Sequence, residues 1–223
     1  GYGGTTIIEN VRLEVRRGER VGILGRNGAG KTTTLAAAMG FAELRRGAIL
    51  FDGQNVSGLK PSGRSRRGLG WVPQTRDIFK SLTVEENLKA GLQGGSQTRL
   101  KKAYDMFPRL RERRANLGSE LSGGEQQMLT IARTLMGAPS IMLLDEPLEG
   151  LSPIVAQEVM KSIERLTEEE GLGVILVEQH VSAVMRFCQR ILVLESGHPT
   201  FYGETEALKS EPSLLERAIG IAR

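Results

Sequence analysis

Cysteine is nearly absent: Cys188 stands alone among 223 residues. No disulfide can form within the chain, and a reducing compartment is the expectation. Histidine is almost as scarce, with 2 residues, and nothing in the sequence has the His/Cys spacing of a zinc-type site. No apolar run reaches the roughly 18 residues that a membrane span needs, and no signal peptide opens the chain. The chain begins at Gly1 without a methionine, so a trimmed native N-terminus is expected. Charge of one sign is lacking too. Lys+Arg 30 against Asp+Glu 26 leaves +4, too little to argue for a nucleic-acid partner, and none is expected.

Glycine is plentiful, at 28 residues. There is no Gly-X-Y period, so the glycines serve turns and close backbone approaches. With 39% hydrophobic and 25% charged residues, the composition is that of a folded globular chain, and its length can bury a sizeable core.

Short apolar runs alternate with helical patterns. Gly22-Ile23-Leu24-Gly25, Ile49-Leu50-Phe51 (cut off by Asp52-Gly53), Leu69-Gly70-Trp71-Val72 (stopped by Pro73), Ile141–Leu144, Val174–Val177 and Ile191–Leu194 read as strands. Val155, Val159, Ile163 and Leu166 fall at helical spacing, with Gly171 as the stop. The alternation predicts a mostly parallel sheet flanked by helices. From about Thr83 to Met136 the pattern turns helical and polar, with basic clusters at Arg109, Arg111, Arg113 and Arg114 and a loop at Gly94-Gly95-Ser96. This stretch reads as a helical subdomain inserted into an α/β body.

Gly25-Arg26-Asn27-Gly28-Ala29-Gly30-Lys31-Thr32 fits G-x-x-x-x-G-K-[ST], between a strand and a helix from Thr33 to Gly40. The glycines let backbone N–H groups wrap phosphates at a helix N-terminus. Lys31 can reach β- and γ-phosphates, and the Thr32 hydroxyl can ligate Mg²⁺. Asp145-Glu146-Pro147 ends the most apolar strand. A carboxylate pair there is costly unless a cation sits beside it. Mg²⁺ held partly through Asp145 supplies one, and Glu146 can accept a proton from an attacking water. In Leu121-Ser122-Gly123-Gly124-Glu125-Gln126-Gln127, Ser122 and Glu125 form an S-x-x-E capping box, followed by a buried face of Met128, Leu129, Ile131, Ala132, Leu135 and Met136. Two glycines after the cap also leave backbone donors open to an anion. The two readings are compatible.

The phosphate loop, Gln74 after Pro73, LSGGEQQ and LLDEP, in this order, resemble the ATP-binding subunit of an ABC transporter over essentially the whole chain. The resemblance implies a P-loop NTPase fold with an N-terminal antiparallel β portion. It implies one ABC ATPase domain over 1–223, with a RecA-like core at about 1–75 and 138–223 and the helical subdomain at about 76–137. It also implies a head-to-tail dimer of this chain with itself or a related chain. ATP would be sandwiched between the phosphate loop of one subunit (Gly25 to Thr32, with Thr33) and Ser122, Gly123, Gly124 and Glu125 of the other. Mg²⁺ would be held by Thr32, Gln74 and Asp145. Catalysis would fall to Glu146, Lys31, Gln74 and Gln179. Tyr2, 29 residues before Lys31, would stack on adenine, with Gly3-Gly4 leaving room beside the ring. Integral membrane permease subunits would be the partners, and the place of work the cytoplasmic face of the inner membrane.

Val84-Glu85-Glu86-Asn87-Leu88, Asp145-Glu146-Pro147-Leu148-Glu149-Gly150-Leu151-Ser152-Pro153 and Val177-Glu178-Gln179 resemble the importers of branched-chain amino acids, urea, amides and aromatic acids. Two positions depart from the wider family: Ser152 stands where most members carry Asp, and Gln179 where most carry His, with His180 one residue later. Either Gln179 takes the switch position or the loop slips and His180 does. A soluble ABC ATPase that acts as an assembly scaffold is the rival reading, and a nucleotide-binding regulator without turnover a third. Among the remaining residues, Cys188 is expected as a buried small hydrophobe, Trp71 as core, His198 in a solvated turn, and Arg64, Arg66 and Arg67 as a solvated face.

Overall fold

The computed structural model describes residues 1–92 and 97–210. The Gly94-Gly95-Ser96 loop lies outside them. In chain order the elements are β1 (Arg20–Leu24), α1 (Lys31–Met39), β2 (Leu50–Phe51), β3 (Gln54–Asn55), α2 (Pro61–Arg66), β4 (Leu69–Val72), α3 (Val84–Ala90), α4 (Gln97–Met106), α5 (Pro108–Glu112) and α6 (Gly123–Leu135). They continue with β5 (Ile141–Asp145), α7 (Pro153–Glu170), β6 (Gly173–Val177), α8 (Val181–Phe187), β7 (Arg190–Glu195), β8 (His198–Glu204) and α9 (Thr205–Lys209). Among the described residues no helix is long and apolar enough to cross a membrane.

Six strands form one sheet in the order β4-β5-β6-β1-β7-β8, parallel except for the last pair. The central strands are buried on both faces, which is why they read as continuous apolar runs. Their side chains still alternate. Ile23, Ile141, Leu143, Ile175 and Leu192 pack with Leu35 and Met39 of α1, whereas Met142, Leu144, Val174, Leu176 and Ile191 pack with α6 and α7. Antiparallel pairing on the N-terminal side consists of a Tyr2–Thr5 bridge and the β2–β3 ladder. Residues 6–19 form no strand, although Val11, Leu13 and Val15 pack against the α1 side of the sheet. Strand β8 escaped the sequence reading because Pro199 and Gly203 interrupt its pattern.

Two local outcomes matter for the site. Helix α7 stops at Gly171 in the left-handed region, φ 64°, as expected. Ser152 is its N-cap, accepting from the Val155 N–H at 3.5 Å, so this serine serves the helix start.

One expectation fails. Arg64 is not part of a solvated face: it is 2% exposed. Its guanidinium donates to the carbonyls of Ala37, Ala38, Ser57 and Leu59. Those of Ala37 and Ala38 lie in the last turn of α1, whose orphan acceptors need donors. Sequence spacing alone cannot separate this inward arginine from Arg66 and Arg67, which are exposed. Cys188 is buried as expected, and burial pushes its thiol well up. Trp71 is half-buried and meets Phe41 with ring centroids 4.8 Å apart. His198 opens β8 and is exposed.

Candidate active site

Gly25, Asp145 and Gln179 sit at or just past the C-terminal ends of the neighbouring strands β1, β5 and β6, where parallel α/β sheets open a crevice. A cleft of about 460 Å³ lies there, lined by Ile7, Asn27, Gly28, Gly30, Lys31, Thr32, Thr33, Gln74, Glu146, Glu149 and Gln179. An adjoining recess of about 340 Å³ is bounded by Gly25, Arg26, Asn27, Glu178 and Gln179.

The loop from Gly25 to Gly30 needs its glycines for distinct reasons. A Cβ on Gly25 would lie 2.4 Å from the Leu194 carbonyl oxygen, so the residue is small because backbone passes beside it. Gly30 is the N-cap of α1 at φ 100°, a region L-residues avoid, and Ile8 presses where its Cβ would be. No side chain caps α1. Its first N–H groups therefore face the cleft, as an anion site requires. Lys31, 5% exposed, folds back onto the Gly25 and Arg26 carbonyls at 2.9 and 3.2 Å. Burial lowers its affinity for a proton, with Glu146 and Asp145 opposing that shift.

Asp145 is 1% exposed, and its Oδ1 accepts from the Thr32 hydroxyl at 3.1 Å. Burial pushes its carboxyl up to about 6; the Thr32 bond opposes the rise and the Glu146 charge adds to it. The buried carboxylate and the hydroxyl bonded to it, with Gln74 on the wall of the same cleft, offer hard oxygens that suit Mg²⁺, an ion that keeps several waters and needs few protein ligands. Among the described residues no group of three His, Cys, Asp or Glu could hold a metal by itself.

Glu146 follows Asp145 in the left-handed region, φ 48°, and its N–H donates to the Val177 carbonyl at 2.8 Å. A non-glycine residue there carries backbone strain of the kind found at functional sites. The turn swings the Glu146 side chain into the cleft, where Oε2 accepts from Gln179 Nε2 at 2.7 Å and from Gln74 Nε2 at 3.3 Å.

The expected residues do not all converge. Lys31, Thr32, Asp145, Glu146, Gln74 and Gln179 do. Of the two switch candidates Gln179 enters this cleft, while His180 opens α8 and lines a separate groove with Leu148, Leu151 and Ala183. Tyr2 is 44% exposed, held in a turn with Thr5, and does not line the cleft. Ser122 and Glu125 form the anticipated capping box: the Ser122 N–H and hydroxyl each donate to Glu125 Oε2 at 2.8 Å. Burial would raise the Glu125 carboxyl, but the Ser122 bonds and the Arg113 charge outweigh it and hold it below its usual range. Ser122 belongs to neither lining set.

Sequence reasoning missed four contributors. Ile7 walls the cleft. Glu149 lines it and accepts from Gln74 Nε2 at 2.8 Å. Glu178, 2% exposed, accepts from the backbone N–H groups of Leu148 and Gln179, tying together the loops after β5 and β6; burial raises its carboxyl. Arg76 donates to the Glu149 carbonyl at 2.7 Å and presses against Gly123. Signals existed for Glu149 and Glu178, both acidic residues adjoining apolar strand ends.

Comparison with known proteins agrees with this geometry. Residues 8–149 match the family model described as ABC transporter. The chain is 39% identical to the high-affinity branched-chain amino acid transport ATP-binding protein BraG of Pseudomonas aeruginosa, covering 98% of this chain and 95% of that protein. It is 38% identical to the lipopolysaccharide export system ATP-binding protein LptB of Escherichia coli, covering 94% and 90%. Among solved structures it resembles an ATP-binding subunit of an ABC transporter (27% identity, TM-score 0.85, covering 99% and 95%). It also resembles a dimeric post-hydrolysis state of the ATP-binding cassette MJ0796 bound to ADP and Pi (26% identity, TM-score 0.79, covering 89% and 90%). The chain belongs to the ABC transporter family, as an ATPase cassette coupled to transport.

Proposed function

We propose that this cleft binds Mg-ATP and hydrolyses it to energise import of branched-chain amino acids or a related small solute such as urea, an amide or an aromatic acid. The observation that carries the chemistry is the Glu146 carboxylate, held by two neutral amide donors, Gln179 and Gln74, across the cleft from Lys31. Phosphates bind on the bare start of α1, with Lys31 leaving its two carbonyls to meet the β- and γ-oxygens. Thr32, Asp145 and Gln74 would hold Mg²⁺, which would neutralise phosphate charge when bound. Glu146 takes the proton of the attacking water, and Gln179 orients that carboxylate. Adenine stacks on Tyr2, whose ring is exposed and accessible. A second cassette, another copy or a related chain, completes the site with Ser122, Gly123, Gly124 and Glu125.

The permease partner docks in a groove of about 620 Å³ between the sheet edge and the helical segment. Its rim carries the exposed Phe41 and Phe79 (54% and 51%), and Thr75 and Asp77 connect it to Gln74. Buried Asn87 fixes the Phe79 loop, bonding both backbone groups of Phe79 and the Leu82 and Thr83 carbonyls. Docked in this way, the chain would work at the cytoplasmic face of the membrane. Import is favoured by the BraG likeness and by Gln179 in the switch position. The similar LptB likeness supports lipopolysaccharide export as the second reading.

The chemical half is tested by Mg-ATP turnover of Glu146→Gln, expected to fall at least about a hundredfold with binding retained; unchanged turnover removes Glu146 as the base. The solute half is tested by co-purifying the permease and reconstituting it. Leucine-stimulated ATPase and uptake are the expected results, and stimulation by lipopolysaccharide alone contradicts import.

A further inference from the structure

Gln74 has two carboxylates to choose from, and the shorter bond does not go to Glu146. Its Nε2 lies 2.8 Å from Glu149 Oε2 and 3.3 Å from Glu146 Oε2. The same Glu149 accepts Arg76 Nη2 on its backbone carbonyl at 2.7 Å. One residue therefore straps both ends of the 74–76 segment to the loop after β5. Glu149 also lines the cleft beside Lys31, Thr32, Glu146 and Gln179, and its charge is felt at Asp145.

We propose that Glu149 is a positioning residue that holds Gln74 in its nucleotide-free pose, so that Mg-ATP must draw Gln74 away from it. The inference rests on the Mg-ATP reading above. A glutamine amide is planar, and one terminal torsion sets its oxygen and nitrogen together. Any turn that presents the oxygen to a cation beside Thr32 and Asp145 competes with the charge-assisted bond to Glu149. Glu149 thus sets a threshold for nucleotide capture and holds the 74–76 strap, which leads on to the Phe79 groove. Arg76, wedged against Gly123 at the start of α6, carries the same restraint to the surface that would face the second cassette.

Calorimetry on the full chain tests this, with Mg-ATP, metal-free ATP and Mg-ADP as ligands. Glu149 is exposed, so its replacement leaves the core alone. Glu149→Leu should tighten Mg-ATP about fivefold, the scale of one exposed charge-assisted hydrogen bond. Metal-free ATP and Mg-ADP should move less than about twofold, since Gln74 acts through the metal and the γ-phosphate. Glu149→Gln keeps a neutral acceptor oxygen and so part of the restraint, and should tighten Mg-ATP by only about twofold. In a Gln74→Ala background the Leu effect should vanish, because contacting residues couple. Equal effects of Leu and Gln that persist without Gln74 would mean a plain charge effect and overturn the proposal. Unchanged or weaker Mg-ATP binding by Glu149→Leu would overturn it as well. Failure of the wild-type chain to bind Mg-ATP would instead overturn the ATPase reading, visibly, before any variant is made.

Discussion

Helices α1 and α6 both carry glycine at their starts, and the starts are built differently. Helix α1 begins at Gly30 with no side-chain cap and a buried lysine at its first position. Helix α6 begins at Ser122 with a complete capping box. The first leaves its donors bare inside its own chain's cleft. The second satisfies part of its donors locally, keeps Ser122 exposed, and offers Gly123 and Gly124 on a surface apart from that cleft. An uncapped helix start is a cost that a bound phosphate offsets. A capped one stands folded without a ligand and can wait for a partner's. Under the proposed function, the contrast would have α1 hold nucleotide in its own chain and α6 complete the site of another.

The contrast breaks most severely at Lys31. Lys31→Ala should abolish measurable ATP binding in calorimetry, with at least a tenfold loss of affinity, since a charged hydrogen bond to phosphate is worth about 1.5–3 kcal/mol or more. Unchanged affinity would remove α1 from the phosphate site. Ser122→Arg should do the opposite on binding, leaving ATP affinity of the isolated chain within about twofold while hydrolysis disappears, because the added side chain blocks approach of a partner's nucleotide and leaves α1 untouched. The milder Ser122→Ala should lower folding stability by about 1 kcal/mol through loss of the cap, read by urea unfolding.

Gln179 and His180 sharpen the comparison within one loop. Gln179→Ala should cut ATPase activity about tenfold, losing its bond to Glu146. His180→Ala should change it less than about threefold and leave the pH–rate profile intact, since its side chain lines the groove toward α7. A swap of severities, with an acid limb lost from the His180 profile, would mean the loop slips by one residue on ATP binding.

A pH-dependent effect concerns Asp145. Its carboxyl is raised by burial from 3.8 to about 6 in the nucleotide-free fold. A raised carboxyl favours the fold while protonated, so its contribution is whole below pH about 4 and is lost as pH rises through about 6. Asp145→Asn should therefore stabilise the nucleotide-free chain at pH 7.5 by about 1.4 kcal/mol more than at pH 5, in thermal melts. An equal gain at both pH values would show that Asp145 is not strained as a charge.

Much of this was legible in the residues. Five apolar runs became strands of the main sheet, because continuous burial leaves a continuous apolar signature, and the sixth, at Leu50–Phe51, became half of a small ladder with Leu50 exposed. The phosphate loop and the Asp145–Glu146 pair were legible because their spacing is their mechanism. Arg64 was not, since an arginine inside and one outside look alike until the carbonyls of α1 are placed around it. Glu149 and Glu178 left a signal as acidic residues after apolar strands, but not their roles, since their partners Gln74 and Leu148 lie 75 and 30 residues away in sequence.

The central claim is that α1 and α6 serve different chains, and one mixing experiment tests it. Lys31→Ala and Ser122→Arg chains are each expected to be inactive alone. In a mixed dimer, the intact α1 of the Ser122→Arg chain faces the intact α6 of the Lys31→Ala chain, restoring one site of two. Mixing equal amounts should recover about a quarter of wild-type ATPase, from random pairing into two-fold dimers. Two inactive chains that remain inactive when mixed, while wild type dimerises and hydrolyses under the same conditions, would contradict the account.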